Sequence, residues 1–365
     1  MGSPAGHVLK DELDLMSLFR KNIDALEAYK PGEQPLAGAK VVKLNTNENP
    51  YPPSPRAAQA LHGFDAESLR RYPTPYAQRA REAVARLCDV PVDWVLVGNG
   101  SDDLLTMIMR ATAQPGRRVV FPMPTYVLYR TLAQIQDAEV VEVPFDEDYN
   151  LPLEALVEAG GAVALIASPN SPSGNRFDNA ELAELARRSD GLVVVDEAYA
   201  DFASGSALEL VGEFENVLVL RTLSKGYSLA GLRVGFAIGQ PGLIDGLAKV
   251  KDSYNVDAVA DMVAAAAIDD QAHKNANAEK VKASRATLAE QLEQLGFRVW
   301  PSESNFLLVR PSAGDAQRLY LGLKERGILV RYFNQPRLDD KLRITIGTDQ
   351  ENAALVAALG EELRT

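Results

Sequence analysis

Short apolar runs alternate with helical patterns along residues 93–239. The runs are Val95–Val97, Arg118–Phe121, Glu139–Val143, Val163–Ala167, Leu192–Val195, Val217–Leu220 and Val234–Ile238. They are rich in Val and do not alternate with polar residues, as expected for strands covered on both faces. Between them, stretches such as Asp102–Ala113 and Asn179–Arg188 space their apolar residues for helices. This alternation predicts an α/β fold whose large domain holds a mainly parallel seven-stranded sheet flanked by helices. Ligands of such sheets gather beyond the carboxyl ends of the strands.

Residues 257–295 read as one long helical region, Ala-rich and free of Pro and Gly. After it, Phe297–Trp300, Phe306–Arg310, Ile328–Arg331 and Leu342–Ile346 read as strands, and 314–326 and 349–363 as helices. This predicts a smaller α+β C-terminal domain. At the other end, Leu13–Ala28 is an amphipathic segment, Pro31-Gly32 breaks it, and TNENPYPPSP (46–55) is an irregular crossing. The expected division is an N-terminal arm and crossing (1–50), a large domain (51–256) and a small domain (257–365). A chain of 365 residues suits about two domains.

Composition narrows the function. With 38 Lys and Arg against 50 Asp and Glu, the net charge is −12, which disfavours a general attraction to nucleic acid or anionic membrane. An anionic ligand must therefore be held by locally placed cations. Cys88 is the only cysteine, so neither an intramolecular disulfide nor a Cys-rich zinc site can form. No apolar run reaches the roughly 18 residues of a membrane span. Residues 1–14 lack the order of a signal peptide, so a cytoplasmic protein is expected. The three histidines (His7, His62, His273) are scattered and in no motif, so proton transfer is expected to fall to another group, and no metal site is expected.

Chemistry clusters where strands end. Lys225 follows the run Val217–Leu220 in RTLSKGYSLAGLR (221–233), with Thr222 and Ser224 beside it and Arg233 eight positions on. A lysine amine flanked by hydroxyls and an arginine suits a Schiff-base nucleophile beside an anion site; the plainer reading is a solvated loop lysine. Asp196 ends Leu192-Val193-Val194-Val195 and could pair with a pyridinium nitrogen or cap a helix. Asn170, in SPNSPSGN (168–175), could donate to a ring oxygen or simply belong to a turn. Gly98-Asn99-Gly100-Ser101-Asp102 leads from strand to helix, which suits a phosphate at a helix N-terminus or merely a capped helix. Tyr126 could stack on a flat cofactor or pack in the core. Arg331 and Arg343 sit in apolar strands, as a substrate-anion clamp or as members of internal ion pairs.

Taken together and in order, Gly100-Ser101-Asp102, Tyr126, Asn170, Asp196, Tyr199, Ser224-Lys225, Arg233 and Arg343 resemble the fold-type I, pyridoxal-phosphate-dependent aminotransferases of class I and II. The likeness also runs through LEAYKPG (26–32), LNTNENP (44–50) and RYPTPY (71–76), and covers about residues 20 to 360. Within the class it leans to the histidinol-phosphate aminotransferases. The resemblance implies pyridoxal 5'-phosphate held by Lys225 as a Schiff base, with Lys225 also carrying a proton. Asp196 then pairs with the ring nitrogen, Asn170 and Tyr199 with the ring oxygen, and Tyr126 stacks on the ring. Ser101, Asp102, Thr222, Ser224 and Arg233 bind the phosphate, joined by Tyr72 from the other subunit. Tyr29, also across a homodimer, and Arg331 and Arg343 contact the substrate. The implied reaction is ping-pong transfer from glutamate to imidazole-acetol phosphate. Aromatic aminotransferases, threonine-phosphate decarboxylases and a non-catalytic binding protein are the alternatives. The chain departs from the family's N-N-P-T-G at Ser171 and Ser173.

Overall fold

The computed structural model describes residues 18–28, 33–35, 38, 40–312 and 315–364. Thirteen strands lie among them: β1 (Val42–Lys43), β2 (Val95–Gly98), β3 (Arg118–Met123), β4 (Glu139–Pro144), β5 (Val163–Ala167), β6 (Leu192–Asp196), β7 (Val217–Thr222), β8 (Gly235–Ile238), β9 (Phe297–Val299), β10 (Phe306–Pro311), β11 (Ile328–Leu329), β12 (Arg331–Tyr332) and β13 (Leu342–Thr345). Seven of them form one sheet in the order β2-β8-β7-β6-β5-β3-β4. Only β8 runs against its neighbours, pairing antiparallel with β2 and β7. All seven expected strands are present in this mainly parallel sheet.

Alternate residues of each strand feed two separate cores. Val193, Val195, Val217 and Val219 belong to one, and Leu192, Val194, Leu218 and Leu220 to the other. Helices cover both faces, which is why the runs carry apolar residues at every position. The second sheet, β12-β13-β10-β9, is antiparallel. With the helices Gln271–Gln294, Ala316–Glu325 and Asp349–Glu362 it encloses a third core around Phe306, Leu319, Leu342 and Leu355.

Two expectations needed correction. Residues 257–295 are not one helix but two, Ala258–Ile268 and Gln271–Gln294. Between them, Asp270 leaves helical geometry and its carboxylate accepts from Ser54 Oγ at 2.5 Å, while Asp269 pairs with Arg86 at 3.1 Å. Aspartate competes poorly for helix interiors and well for such side-chain bonds. Ala260, Val263, Ala264 and Ala267 of the first helix pack in a large-sheet core, whereas Val281, Leu288 and Leu292 of the second pack in the third core. The chain therefore passes from one core to the other at this turn. The segment Ile328–Arg331 likewise splits: β11 pairs with β1, and β12 pairs with β13. A change of pairing partner at Val330 leaves no trace in the apolar pattern.

The short strand β1, absent from the sequence reading, matters for the site. Its pairing with β11 is extended by Leu44 N donating to Leu329 O at 2.7 Å, and Leu44 O accepts from Thr345 N of β13 at 3.0 Å, which ties the segment to the small sheet. Asn47 is then fixed in a left-handed turn, φ 57°, a conformation Asn tolerates better than most residues. Its backbone N donates to Thr345 Oγ1 at 3.0 Å, and its carbonyl accepts from Asn305 Nδ2 at 2.9 Å. Of Leu13–Ala28, the described part forms only the short helix Lys21–Asp24; Pro31-Gly32 lies outside the described residues. No helix among the described residues is long and apolar enough to cross a membrane.

The antiparallel β8 brings Gly235 against the start of the helix Ser101–Thr112. A methyl group at Gly235 would stand 2.6 Å from Ser101 N and 2.7 Å from Gly100 C, both backbone atoms that cannot swing aside. Gly235→Ala is therefore expected to cost about 1–3 kcal/mol, the usual scale of overpacking. Urea unfolding at neutral pH checks it; stability equal to the parent would show that this approach is not tight.

Candidate active site

The carboxyl ends of β3, β5, β6 and β7 lie on one edge of the sheet, and β2 ends beside them. This edge, with the small sheet, encloses a cavity of about 740 Å3. Its wall includes Ser101, Asp102, Tyr126, Asp196, Tyr199, Thr222, Ser224, Lys225, Arg233, Arg331 and Arg343, so residues spread over 243 positions of sequence converge there.

Lys225 sits three residues past β7. Its Nζ donates to Thr46 O at 3.3 Å and lies 5.8 Å from the centre of the Tyr199 ring. The crossing segment holds it from the other side. Asn49 Nδ2 donates to Lys225 O at 3.0 Å, and Asn47 Nδ2 donates to Tyr199 Oη at 2.9 Å. Glu48, also in the wall, is pushed up by burial, but hydrogen bonds from Lys43 and Thr46 outweigh this and hold its carboxyl below the usual range.

Asp196 is the last residue of β6, and only 5% of it is exposed. Its Oδ2 accepts from Tyr129 Oη at 2.7 Å and its Oδ1 from Ala198 N at 3.2 Å. Burial pushes its carboxyl up to about 6, partly offset by the Tyr129 hydroxyl and the Ala198 amide. Burial also pushes the Tyr129 phenol far up, and the neighbouring Asp196 adds to it, so Tyr129 stays a donor. A buried carboxylate of this kind favours a cationic partner.

The anion end is equally built. Gly100, φ 82°, precedes the helix Ser101–Thr112, whose first two residues line the cavity. Asp103 Oδ2 accepts from Asn99 N at 2.9 Å and from Asn255 Nδ2 at 2.8 Å, which braces the glycine turn. Arg233, itself left-handed at φ 56°, reaches Asp102 Oδ2 at 3.1 Å and Ser224 Oγ at 3.5 Å. A Cβ on Gly100 would stand 2.6 Å from Arg233 Nη2 and would displace the guanidinium, and its φ of 82° itself favours glycine. Thr222 Oγ1 accepts from Ser224 N at 3.1 Å and lies 2.9 Å from Ser224 Oγ. Tyr126 Oη donates to Asp102 Oδ1 at 3.1 Å, and its ring meets that of Tyr129 edge-on at 5.6 Å. A flat aromatic cation with a phosphate arm and a carbonyl fits this set: Asp196 for its ring N–H, the helix start with Ser224 and Arg233 for its phosphate, and Lys225 for its carbonyl.

Across the cavity, Arg331 and Arg343 are direct cross-strand partners of β12 and β13. Their guanidiniums therefore share a face, a pairing that repels unless an anion lies between or near them. Arg343 Nη2 donates to Asn45 O at 2.9 Å and Nη1 to Ser171 Oγ at 3.0 Å, and its guanidinium lies 5.2 Å from the Phe306 ring. The Arg331 guanidinium lies 5.3 Å from the Phe333 ring.

Among the described residues, Asn170 is not in this wall, and neither is Tyr72, which is expected to serve the other subunit. Asn170 is 0% exposed and absent from the wall; its amide donates to Pro124 O at 3.2 Å and Ser173 Oγ at 2.7 Å, and accepts from Thr125 Oγ1 at 2.6 Å. Tyr72 is 82% exposed and stacks on Tyr254, ring centres 4.6 Å apart. Tyr29 lies outside the described residues. Conversely, the sequence reading assigned no role to Tyr129, Asn47, Asn49 or Ser171. Tyr129 could have been suspected: it stands three residues past Tyr126, in the helix Leu128–Ile135.

The sequence profile described as aminotransferase class I and II matches residues 39–359. The chain belongs to this family. It is 58% identical over 350 residues to histidinol-phosphate aminotransferase 1 of Trichormus variabilis, covering 96% of this chain and all of that one. It is 43% identical over 346 residues to histidinol-phosphate aminotransferase of Citrifermentans bemidjiense, covering 95% and 99%. The crystal structure of histidinol-phosphate aminotransferase from Sinorhizobium meliloti in complex with pyridoxal-5'-phosphate superposes with a TM-score of 0.88, at 27% identity, covering 96% of this chain and 99% of that chain. The aminotransferase shares its architecture of a large, mainly parallel sheet and a small antiparallel one with that structure.

The raised Asp196 carboxyl has a pH consequence. Between about 4 and 6 the folded cofactor-free aminotransferase binds a proton there that the unfolded chain has released, so this contribution to stability falls as pH rises through that window. Asp196→Asn should flatten the slope between pH 4 and 6 and leave the cofactor-free protein more stable at pH 7, on the order of 1–3 kcal/mol. Urea midpoints measured across pH 4–8 test this; an unchanged slope would mean Asp196 ionises as freely folded as unfolded.

Proposed function

We propose that this aminotransferase transfers the amino group between histidinol phosphate and 2-oxoglutarate, in the ping-pong sequence of histidine biosynthesis, with pyridoxal 5'-phosphate bound at Lys225. The observation that carries the reading is the pair of facing arginines, Arg331 and Arg343, across one cavity from Lys225 and Asp196, in a chain so similar to named relatives over its whole length. When bound, the cofactor supplies an electron sink for charge developing at the substrate α-carbon.

The chain's own groups do the rest. Asp196 would pair with the cationic ring nitrogen and favour its protonated form. Tyr129 and the Ala198 amide hold that carboxylate in place. The helix start at Ser101, with Ser224 and Arg233, binds the phosphate. Tyr126 would lie against the ring, and Tyr199 would donate to the ring oxygen. Lys225 Nζ takes the proton from the substrate α-carbon and returns it at the other end of the transfer. Asn49 and Thr46 set where that amine sits. Arg343 and Arg331 bind the substrate anion, a carboxylate of glutamate in one half-reaction and the phosphate of histidinol phosphate in the other. A guanidinium fork accepts both.

We also propose a homodimer. Tyr72 and Tyr254 form an exposed stacked pair, and Leu69, three residues before Tyr72, is exposed as well. Covering them with a second copy would carry Tyr72 toward that copy's phosphate cup, and Tyr29 toward its substrate. Sedimentation at assay concentration should give twice the chain mass, and Tyr72→Ala should weaken cofactor affinity about tenfold, the scale of one charge-assisted hydrogen bond. A fully active monomer would overturn the shared site.

Lys225→Ala, supplied with cofactor, should lose the near-visible absorbance band of the lysine-bound form and at least about 10^3-fold in turnover. The parent should respond spectrally to histidinol phosphate at lower concentration than to phenylalanine or threonine phosphate. A response to phenylalanine with none to histidinol phosphate would point to an aromatic aminotransferase instead.

A further inference from the structure

Lys225, Gly226 and Tyr227 are gripped from several sides at once. Asn49 of the crossing donates to Lys225 O at 3.0 Å. Gln271 Nε2 donates to Tyr227 Oη at 2.9 Å, and Lys274 Nζ lies 5.6 Å from the centre of the Tyr227 ring. The backbone of Gly226 is not left-handed, so conformation does not demand a glycine there. Space does: a Cβ on Gly226 would stand 2.5 Å from both Cβ and Cγ of Asp201. The Asp201 side chain therefore packs directly on the residue that follows the lysine.

Asp201 belongs to the turn Ala200–Phe202, two residues past Tyr199. Phe202 N donates to Tyr199 O at 3.0 Å, and Phe202 sits in the third core with Ala278 and Val281 of the helix Gln271–Gln294. From that same helix, Lys274 Nζ donates to Asp201 Oδ1 at 3.0 Å. The side chains of this pair are only 13% and 11% exposed. Arg221, another cation near Asp201, is spent on Glu197 at 2.9 Å. The Asp201 carboxylate is thus wedged between Gly226 and the Lys274 ammonium. Neither residue of the pair lines the cavity. Removing one charge of a buried pair leaves the other uncompensated, so it turns toward water or gives up its charge. The carboxylate would then leave the face of Gly226, and the spacing between the Tyr199 turn and the Lys225 loop would no longer be fixed.

We propose that Asp201, locked by Lys274, is a positioning residue for Lys225: it sets the spacing between the Tyr199 phenol and the Lys225 amine by holding the turn of one against the glycine of the other. The proposal rests on the reading of Lys225 as the amine that binds the cofactor and moves the substrate proton. That amine hangs on a flexible four-carbon stem, so its reach depends on where the backbone at 225–226 is held. A misplacement of about 1 Å at a reacting group costs up to about a hundredfold in rate. The helix break at Asp270 places Gln271 and Lys274, three residues apart on one face, against the lysine loop.

The test compares Asp201→Asn, which keeps the shape and loses the charge, with Lys274→Met, which keeps an apolar stem, and Lys274→Arg, which keeps a cation. On mixing cofactor-free protein with pyridoxal 5'-phosphate, the near-visible band of the lysine-bound form should grow about tenfold more slowly in Asp201→Asn and Lys274→Met than in the parent. In the loaded proteins kcat with glutamate should fall about tenfold or more, while KM changes less than about threefold. Deuterium at the glutamate α-carbon should slow these two variants more than the parent, because a misplaced amine makes proton transfer limit the rate. Lys274→Arg should stay within about threefold of the parent. The double variant of Asp201→Asn with Lys274→Met should be no slower than the slower single one, as for two groups acting as a unit. A pair that merely fastens the turn to the helix would lower the melting temperature and leave band growth, kcat and isotope effect at parent values in the folded protein; that result overturns the proposal. If Asp201→Asn does not fold, Lys274→Met decides alone. Lys225→Ala tests the underlying reading. If it keeps the band, that reading and the positioning role both fall. If it loses the band while Asp201→Asn and Lys274→Met match the parent, the role of Lys225 stands and that of Asp201 is wrong.

Discussion

Parallel strands deliver their carboxyl ends to one edge of a sheet, and everything chemical in this chain depends on that constraint. Asp196 ends β6, Thr222 ends β7, and the loops after β3 and β5 carry Tyr126 and Ser171. Backbone pairing sets their spacing before any side-chain interaction acts. The one reversed strand, β8, brings Gly235 against Ser101 N and thereby seats the helix start beside Arg233. The opposite wall comes from elsewhere: β12 and β13 of the small sheet place two arginines in direct register across the cavity. Catalysis at this site is therefore a matter of how two sheets face each other, with the 45–49 crossing bonded to both.

Electrostatics gives the cavity its direction. The chain as a whole is acidic, yet the cavity wall carries Lys225, Arg233, Arg331 and Arg343. Three acids of the wall are engaged. Asp102 faces Arg233, Glu48 faces Lys43, and Asp196 is buried beneath a tyrosine hydroxyl. Such placement lets an acidic protein bind a doubly anionic cofactor and an anionic substrate, because local geometry outweighs net charge within the Debye length of about 8 Å.

Much of this was legible in the chain. Val-rich runs located all seven strands of the large sheet, since burial on both faces leaves a continuous apolar run. Residues just past those runs (Asp196, Lys225, Ser101) were legible for the same reason. The long helix was misread because its break depends on Ser54 and Arg86, distant partners of two aspartates. β1 and the split of β11 from β12 were missed because two-residue pairings carry no periodicity. Asn170 and Ser171 could not be told apart, since adjacent polar residues in a loop give no sign of which faces inward.

By itself, then, the sequence determined the fold class, the order of elements and the set of groups able to hold a phosphate, a ring and an amine, because these follow from local pattern and residue chemistry. Only the tertiary structure decided which of those groups meet. It paired Arg331 with Arg343, put Tyr129 under Asp196, laid Asn47 and Asn49 over Tyr199 and Lys225, and turned Ser171 rather than Asn170 to the cavity. Each is a contact between segments far apart in the chain or a choice of side-chain direction. Strand register and packing fix both, and neither is encoded at any single position.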